Sequence, residues 1–96
     1  MDAKNIARVY RRVWLDHPVI GCGNRDMLVL SAGRKWTRLL CVARMRAIKL
    51  PTAQVPAGEE IETSKTRLRK RLKENAKTYN ASKALLRDAL AVANTI

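Results

Sequence analysis

One histidine, His17, and two cysteines, Cys22 and Cys41, are the side chains in this 96-residue sequence best suited to nucleophilic or metal chemistry. His17 and Cys22 fall together in the segment DHPVIGCGN, where a base and a thiol could pair if a nearby cation lowered the thiol pKa. Catalysis needs a converging acid, base and nucleophile, and a single histidine supplies too little of that set. The simpler reading makes His17 a loop residue before Pro18 and Cys22 a small packing residue. Asp16, His17, Cys22 and Cys41 could be counted as four metal ligands, but they lack C-x-x-C or H-x-x-x-H spacing. Gly21-Cys22-Gly23 is too short to cradle a phosphate, and no paired-carboxylate pattern is present. The expectation is a non-enzymatic protein without metal or cofactor, its two thiols reduced and unpaired.

Charge is the stronger signal. Lys and Arg number 20 against 8 Asp and Glu, a formal net charge of +12, which points to a polyanion or to a partner with an acidic face. Arg34, Lys35, Arg38, Arg44, Arg46 and Lys49 lie among short apolar runs, and a sheet could gather them at one end and edge for phosphate contacts. Trp36 could stack on a base. In a chain whose aromatics are Tyr10, Trp14, Trp36 and Tyr79, it could equally fill a core. Farther on, KTRLRKRLK (65–73) holds six basic residues and no acid. On a helix these spread over about 200°, so Lys65, Arg69, Lys70 and Lys73 join the candidate nucleic-acid contacts while other cations stay solvated. Such a helix could also lie on an anionic membrane, but its apolar stripe lacks Trp or Phe anchors, and packing on a sheet is preferred.

The elements that must position these residues change character at PTAQVPAG (51–58). Before it, three apolar runs separated by turn chemistry read as a β-meander. Met27 to Leu30 is apolar on both parities, as a central strand covered on both faces should be. Gly33 is expected to take a positive φ in a tight hairpin, Trp36 to Val42 to form the next strand, Ala43 to Arg46 a basic turn, and Ala47 to Leu50 a strand stopped by Pro51. The first segment reads two ways. Ile6, Val9, Tyr10, Val13 and Trp14 have helical spacing, whereas the β-branched and aromatic content of RVYRRVW favours a strand from Arg8 to Leu15, which the sheet would use. His17 to Asn24 is then a loop, and a fifth strand is absent unless Ala53 to Val55 provides it. After Gly58, Ile61, Leu68, Leu72, Ala76 and Tyr79 line one helical stripe with Glu59, Glu60 and Glu62 at its N-terminus. Asn80 is expected to cap a second helix, Ala81 to Ala93, closing an αα-hairpin.

The pattern VWLDHPVIGCGN, then MLVLSAGRKWTRLLCV, then RAIKLPTAQV resembles a small SH3-like barrel, with a first strand, a glycine-containing loop and a meander with a basic hairpin tip. The resemblance implies binding of nucleic acid or protein and carries no catalytic residue. Small size and basic charge are also similar to those of accessory proteins encoded by bacteriophages. The sequence therefore points to an α+β protein, with a basic β-meander or SH3-like barrel over residues 1–56 and a C-terminal α-helical hairpin over 57–96. Its expected function is nucleic-acid binding, to DNA or RNA, mainly through phosphates. The alternative is a phage-type accessory or inhibitor protein whose basic face docks on an acidic host protein. No apolar run approaches the roughly 20 residues a membrane span needs, and a cytoplasmic location is expected.

Overall fold

The computed structural model describes residues 9–96, over which the chain forms β1 (Tyr10–His17), β2 (Gly21–Ala32), β3 (Trp36–Cys41) and β4 (Arg46–Pro51). One turn of 3₁₀ helix (Thr52–Gln54), β5 (Glu59–Glu60), α1 (Lys65–Thr78) and α2 (Lys83–Ala93) follow. Each neighbouring strand pair is antiparallel and the order is β4-β3-β2-β1-β5. The sheet stays open, with β4 and β5 as its edges, and does not close into the barrel that the sequence resemblance implies. No helix among the described residues is long and apolar enough to cross a membrane.

The first segment resolves as a strand, although the expected start at Arg8 lies outside the described residues. Val13 and Leu15 enter one core and Tyr10 the other, an alternation of period two that overrides the helical spacing once β2 pairs along the strand. The expected loop from His17 to Asn24 is mostly ladder. Gly21 opposite His17 through Asn24 opposite Trp14 continue the pairing, so β2 begins at Gly21 and only Pro18 to Ile20 form the turn. Met27 and Val29 join Val13, Leu39, Cys41 and Ile48 in the first core, while Leu28 packs with Leu40, Leu68, Leu72 and Ala89 in the second. This is the two-faced burial read from Met27 to Leu30. A register shift between Val29 and Ser31 lets the distal end of β2 continue to pair with β3.

Gly33 does not adopt a positive φ. Its N–H donates to the Trp36 carbonyl at 2.9 Å, and a Cβ would lie 3.1 Å from that same oxygen, a tight approach that a larger residue would have to relieve by a small backbone shift. The fifth strand is not Ala53 to Val55. Gly58, at φ +61, passes so near β1 that a Cβ would meet Arg12 O at 2.5 Å and Val13 Cγ1 closer still, and this approach lays Glu59 and Glu60 opposite Arg12 and Arg11. Those glutamates therefore belong to the sheet edge and not to a helix N-terminus. Helix α1 begins after Ser64, whose hydroxyl accepts from Arg67 N at 3.1 Å, and α2 after Ser82, whose hydroxyl accepts from Leu85 N at 3.1 Å. Asn80 ends α1 and does not cap α2. At φ 52 it directs its N–H to Lys77 O and the next N–H to Ala76 O, a Schellman closure.

Candidate nucleic-acid interface

Helix α1 buries Leu68, Leu72 and Ala76 against the sheet. At 100° per residue, Lys65, Arg69, Lys73, Lys77 and Lys70 then fall within about 140° on one flank of the helix, running from the border of the buried face at Lys65 and Arg69 out to solvent at Lys70. Over twelve residues the stripe is about 18 Å long. Its orientation is anchored by Arg69, which donates to the Asn94 side chain at the end of α2 at 2.9 Å. Helix α2 buries Ala89 and Ala93, and Lys83 and Arg87 lie on its exposed side beside Leu86, which also lines a depression with α1 residues. Three shallow depressions adjoin here, each sharing a lining side chain with the next. Lys65, Arg69, Lys70 and Lys73 line the first; Lys73, Lys77, Ala81 and Leu86 the second; Lys83, Leu86, Arg87 and Leu90 the third. Glu74 lines the first two and offsets part of the charge. Among the described residues Lys65, Lys70, Lys73, Lys77 and Lys83 take part in no ion pair, whereas Arg87 lies 4.0 Å from Asp88.

A second basic region sits at the start of β3. Leu40 packs under the helices, so alternation puts Arg38 and Trp36 on the same helix-bearing side of the sheet, with Lys49 opposite Arg38 and Pro51 opposite Trp36. Lys49 Nζ lies 4.7 Å from the Trp36 ring centroid. Arg38 reaches Asp88 of α2 at 3.4 Å, which marks the edge of the helical cover. Trp36 lies beyond it and is 49% exposed, so it is a surface side chain; Trp14, at 57%, is another. Arg34 and Lys35 form the exposed hairpin tip just before Trp36.

Arg44 and Arg46 lie elsewhere. Arg44 lies in the β3–β4 turn and Arg46 opens β4, and successive turns of a meander fall at opposite ends of the sheet, so the expected gathering of Arg34, Lys35, Arg44 and Arg46 at one end does not occur. The structure instead brings together Arg34, Lys35, Trp36, Arg38 and Lys49 as one group, and Lys65, Arg69, Lys70 and Lys73 as another. Lys77, Lys83 and Arg87 extend the second group and were not among the sequence candidates; the i, i+4 continuation Lys65-Arg69-Lys73-Lys77 is the signal that would have found the first of them.

Other cations are committed to the fold. Asp26, 19% exposed, accepts from Arg71 at 3.0 Å and from Arg12 at 3.1 Å, and Arg71 also donates to the Tyr10 hydroxyl. Burial alone would raise the Asp26 pKa, but the two guanidinium hydrogen bonds outweigh it and hold the carboxyl below its usual range. Burial raises the Tyr10 pKa, against the pull of Arg71. Arg25 turns back along the hairpin, donating to Ile20 O at 3.3 Å and Asn24 O at 3.1 Å. His17 Nδ1 accepts the Val19 N–H at 3.1 Å, closing the β1–β2 turn. Its register partner is Gly21, while Cys22 stands opposite Asp16, so alternation sends the His17 and Cys22 side chains to opposite faces and separates the conceivable catalytic pair. Cys22 is exposed and Cys41 buried, both as free thiols, and the described residues contain no cluster of three metal-ligating side chains. No protein-family model, curated protein or solved structure matches the chain.

Proposed function

We propose that this protein binds nucleic acid without acting on it, chiefly by neutralising phosphates along the cationic flank of α1 and the neighbouring cations of α2. The observation that carries the reading is the stripe Lys65, Arg69, Lys70, Lys73 and Lys77, whose lysines have no acidic partner among the described residues, with Lys83 lining an adjoining depression. Cations kept unpaired along about 18 Å of helix supply the repeated contacts that a phosphodiester chain accepts and that a compact anion does not. Helical rigidity holds them in line, so little ordering cost remains for binding.

Titration with labelled duplex DNA, single-stranded DNA and RNA at two salt concentrations tests the reading. If four to six phosphates are neutralised, log K against log salt slopes between about −3.5 and −5.5 on duplex and about −3 and −4 on single strands. Replacing both Lys70 and Lys73 with Ala lowers the magnitude of the duplex slope by about 1.8. Absence of binding at low salt, or binding indifferent to salt, overturns the proposal. The half-buried Leu86 and Leu90 between the cations favour a second reading, an acidic amphipathic helix of a protein partner. Binding that survives nuclease treatment and is lost on Leu86→Ser selects it.

A further inference from the structure

We propose that Trp36 is a stacking platform for an unpaired base, so that the protein prefers single-stranded nucleic acid to duplex; the inference rests on the nucleic-acid reading above and specifies its ligand. The indole is half exposed, and Lys49 Nζ sits over the ring at 4.7 Å. Arg38 lies across from Lys49 on the same face, and Arg34 and Lys35 immediately precede the ring in the hairpin. A base lying on this indole would have its own phosphates within the field of that cation group. Bases in a duplex already stack on one another and do not offer their faces, whereas a single strand does.

Two further observations support a built platform. The hairpin that carries Trp36 is locked to the 3₁₀ turn. Gly33 N–H donates to Trp36 O, Thr52 Oγ1 donates to Gly33 O at 2.7 Å, Thr52 N–H donates to Lys35 O at 2.9 Å, and the Thr52 and Thr37 hydroxyls share a buried hydrogen bond of 3.0 Å. The ring is therefore presented on a fixed backbone, which reduces the ordering cost of stacking. The other exposed indole lacks such surroundings. Trp14 faces Asn24, and its neighbours on that face are Asp16, Cys22 and Arg12, the last already engaged by Asp26. Trp36 and the cationic stripe lie on the helix-bearing side of the sheet, on either flank of α2, so one strand can set phosphates along the helices and a base on the ring.

The test measures affinity for a labelled single-stranded oligonucleotide of about 12 nucleotides and for the corresponding duplex. The wild-type protein is compared with Trp36→Leu, Trp36→Phe and Trp14→Phe, with circular dichroism of each variant confirming its fold. Trp36→Leu is expected to weaken single-strand binding about 5- to 150-fold and duplex binding less than about twofold, with Trp36→Phe retaining most of the affinity. In the Trp14→Phe protein, whose fluorescence reports Trp36 alone, single strands quench the emission and duplex does not. Equal wild-type affinities for the two forms, or unquenched Trp36 emission at saturating single strand, overturn this inference and leave phosphate binding standing. Should Trp36→Leu unfold, the fluorescence of the folded Trp14→Phe protein still decides. No binding to either form at low salt removes both proposals together.

Discussion

Replacing Asp26 by Asn tests whether the Asp26, Arg71, Arg12 and Tyr10 network fastens α1 to the sheet. Asp26 sits on β2, Arg12 and Tyr10 on β1, and Arg71 on α1, so the carboxylate joins three elements. The Arg12 bond is largely solvated, its side chain being 57% exposed, and contributes at most a few tenths of a kcal/mol up to about 1 kcal/mol. The Arg71 bond is partly shielded beneath the helix and, as a hydrogen bond between charged groups, contributes about 1–2 kcal/mol. Asp26→Asn keeps the shape and loses the charge, so urea denaturation at pH 7 should show a loss of about 1–2 kcal/mol. For a domain of this size that is a fall in Tm of roughly 5–15 °C. The folded-state pKa of Asp26 lies below the unfolded value of 3.8, so its stabilisation is present above pH 3.8 and disappears as pH falls through the folded value. The gap between wild type and variant should therefore be constant from pH 7 to about pH 5 and narrow below pH 3.8. A gap that persists unchanged at pH 2.5, or a variant as stable as wild type at pH 7, would refute the reasoning.

Gly58→Ala combines a left-handed backbone with a Cβ that meets β1, and should cost about 2–4 kcal/mol in thermal or urea unfolding, whereas an exposed Ala substitution such as Glu62→Ala stays within about 0.5 kcal/mol. Cys22 should react at once with an aromatic disulfide reagent and Cys41 only on unfolding, giving one fast thiol per native chain; two fast thiols would show that the first core opens readily.

Patterns carried by single elements were legible in the residues, and features set by packing between elements were not. Two-faced burial at Met27 to Leu30 and the apolar stripe of Leu68, Leu72 and Ala76 followed directly from period. Tyr79 fits the stripe on paper but falls at the C-cap of α1, where the helix no longer holds it against the sheet, and it is 53% exposed. Glu59 and Glu60 are poor strand formers and became one through the approach of Gly58 to β1, a tertiary effect with no local signature. At the candidate site, six cations between 65 and 73 announced a charged helix. Which of them stand free depended on Arg71 turning inward to Asp26 and on α2 bringing Lys83 and Arg87 alongside. The separation of Arg44 and Arg46 from Arg34 and Lys35 was implicit in the meander itself, since its turns alternate ends.

The helices that carry the cationic stripe also close the second core, and this fixes an order of events as the chain leaves the ribosome. Leu28, Leu40, Val42 and Met45 emerge first, but their cover comes from Leu68, Leu72, Ala89 and Ala93, well after them in the sequence. Until then one side of the newborn sheet is bare and greasy, and a stall after α1 would release a product with half its roof missing. Loss of α2 would therefore expose hydrophobic sheet and favour self-association, turning the protein into a substrate for chaperones.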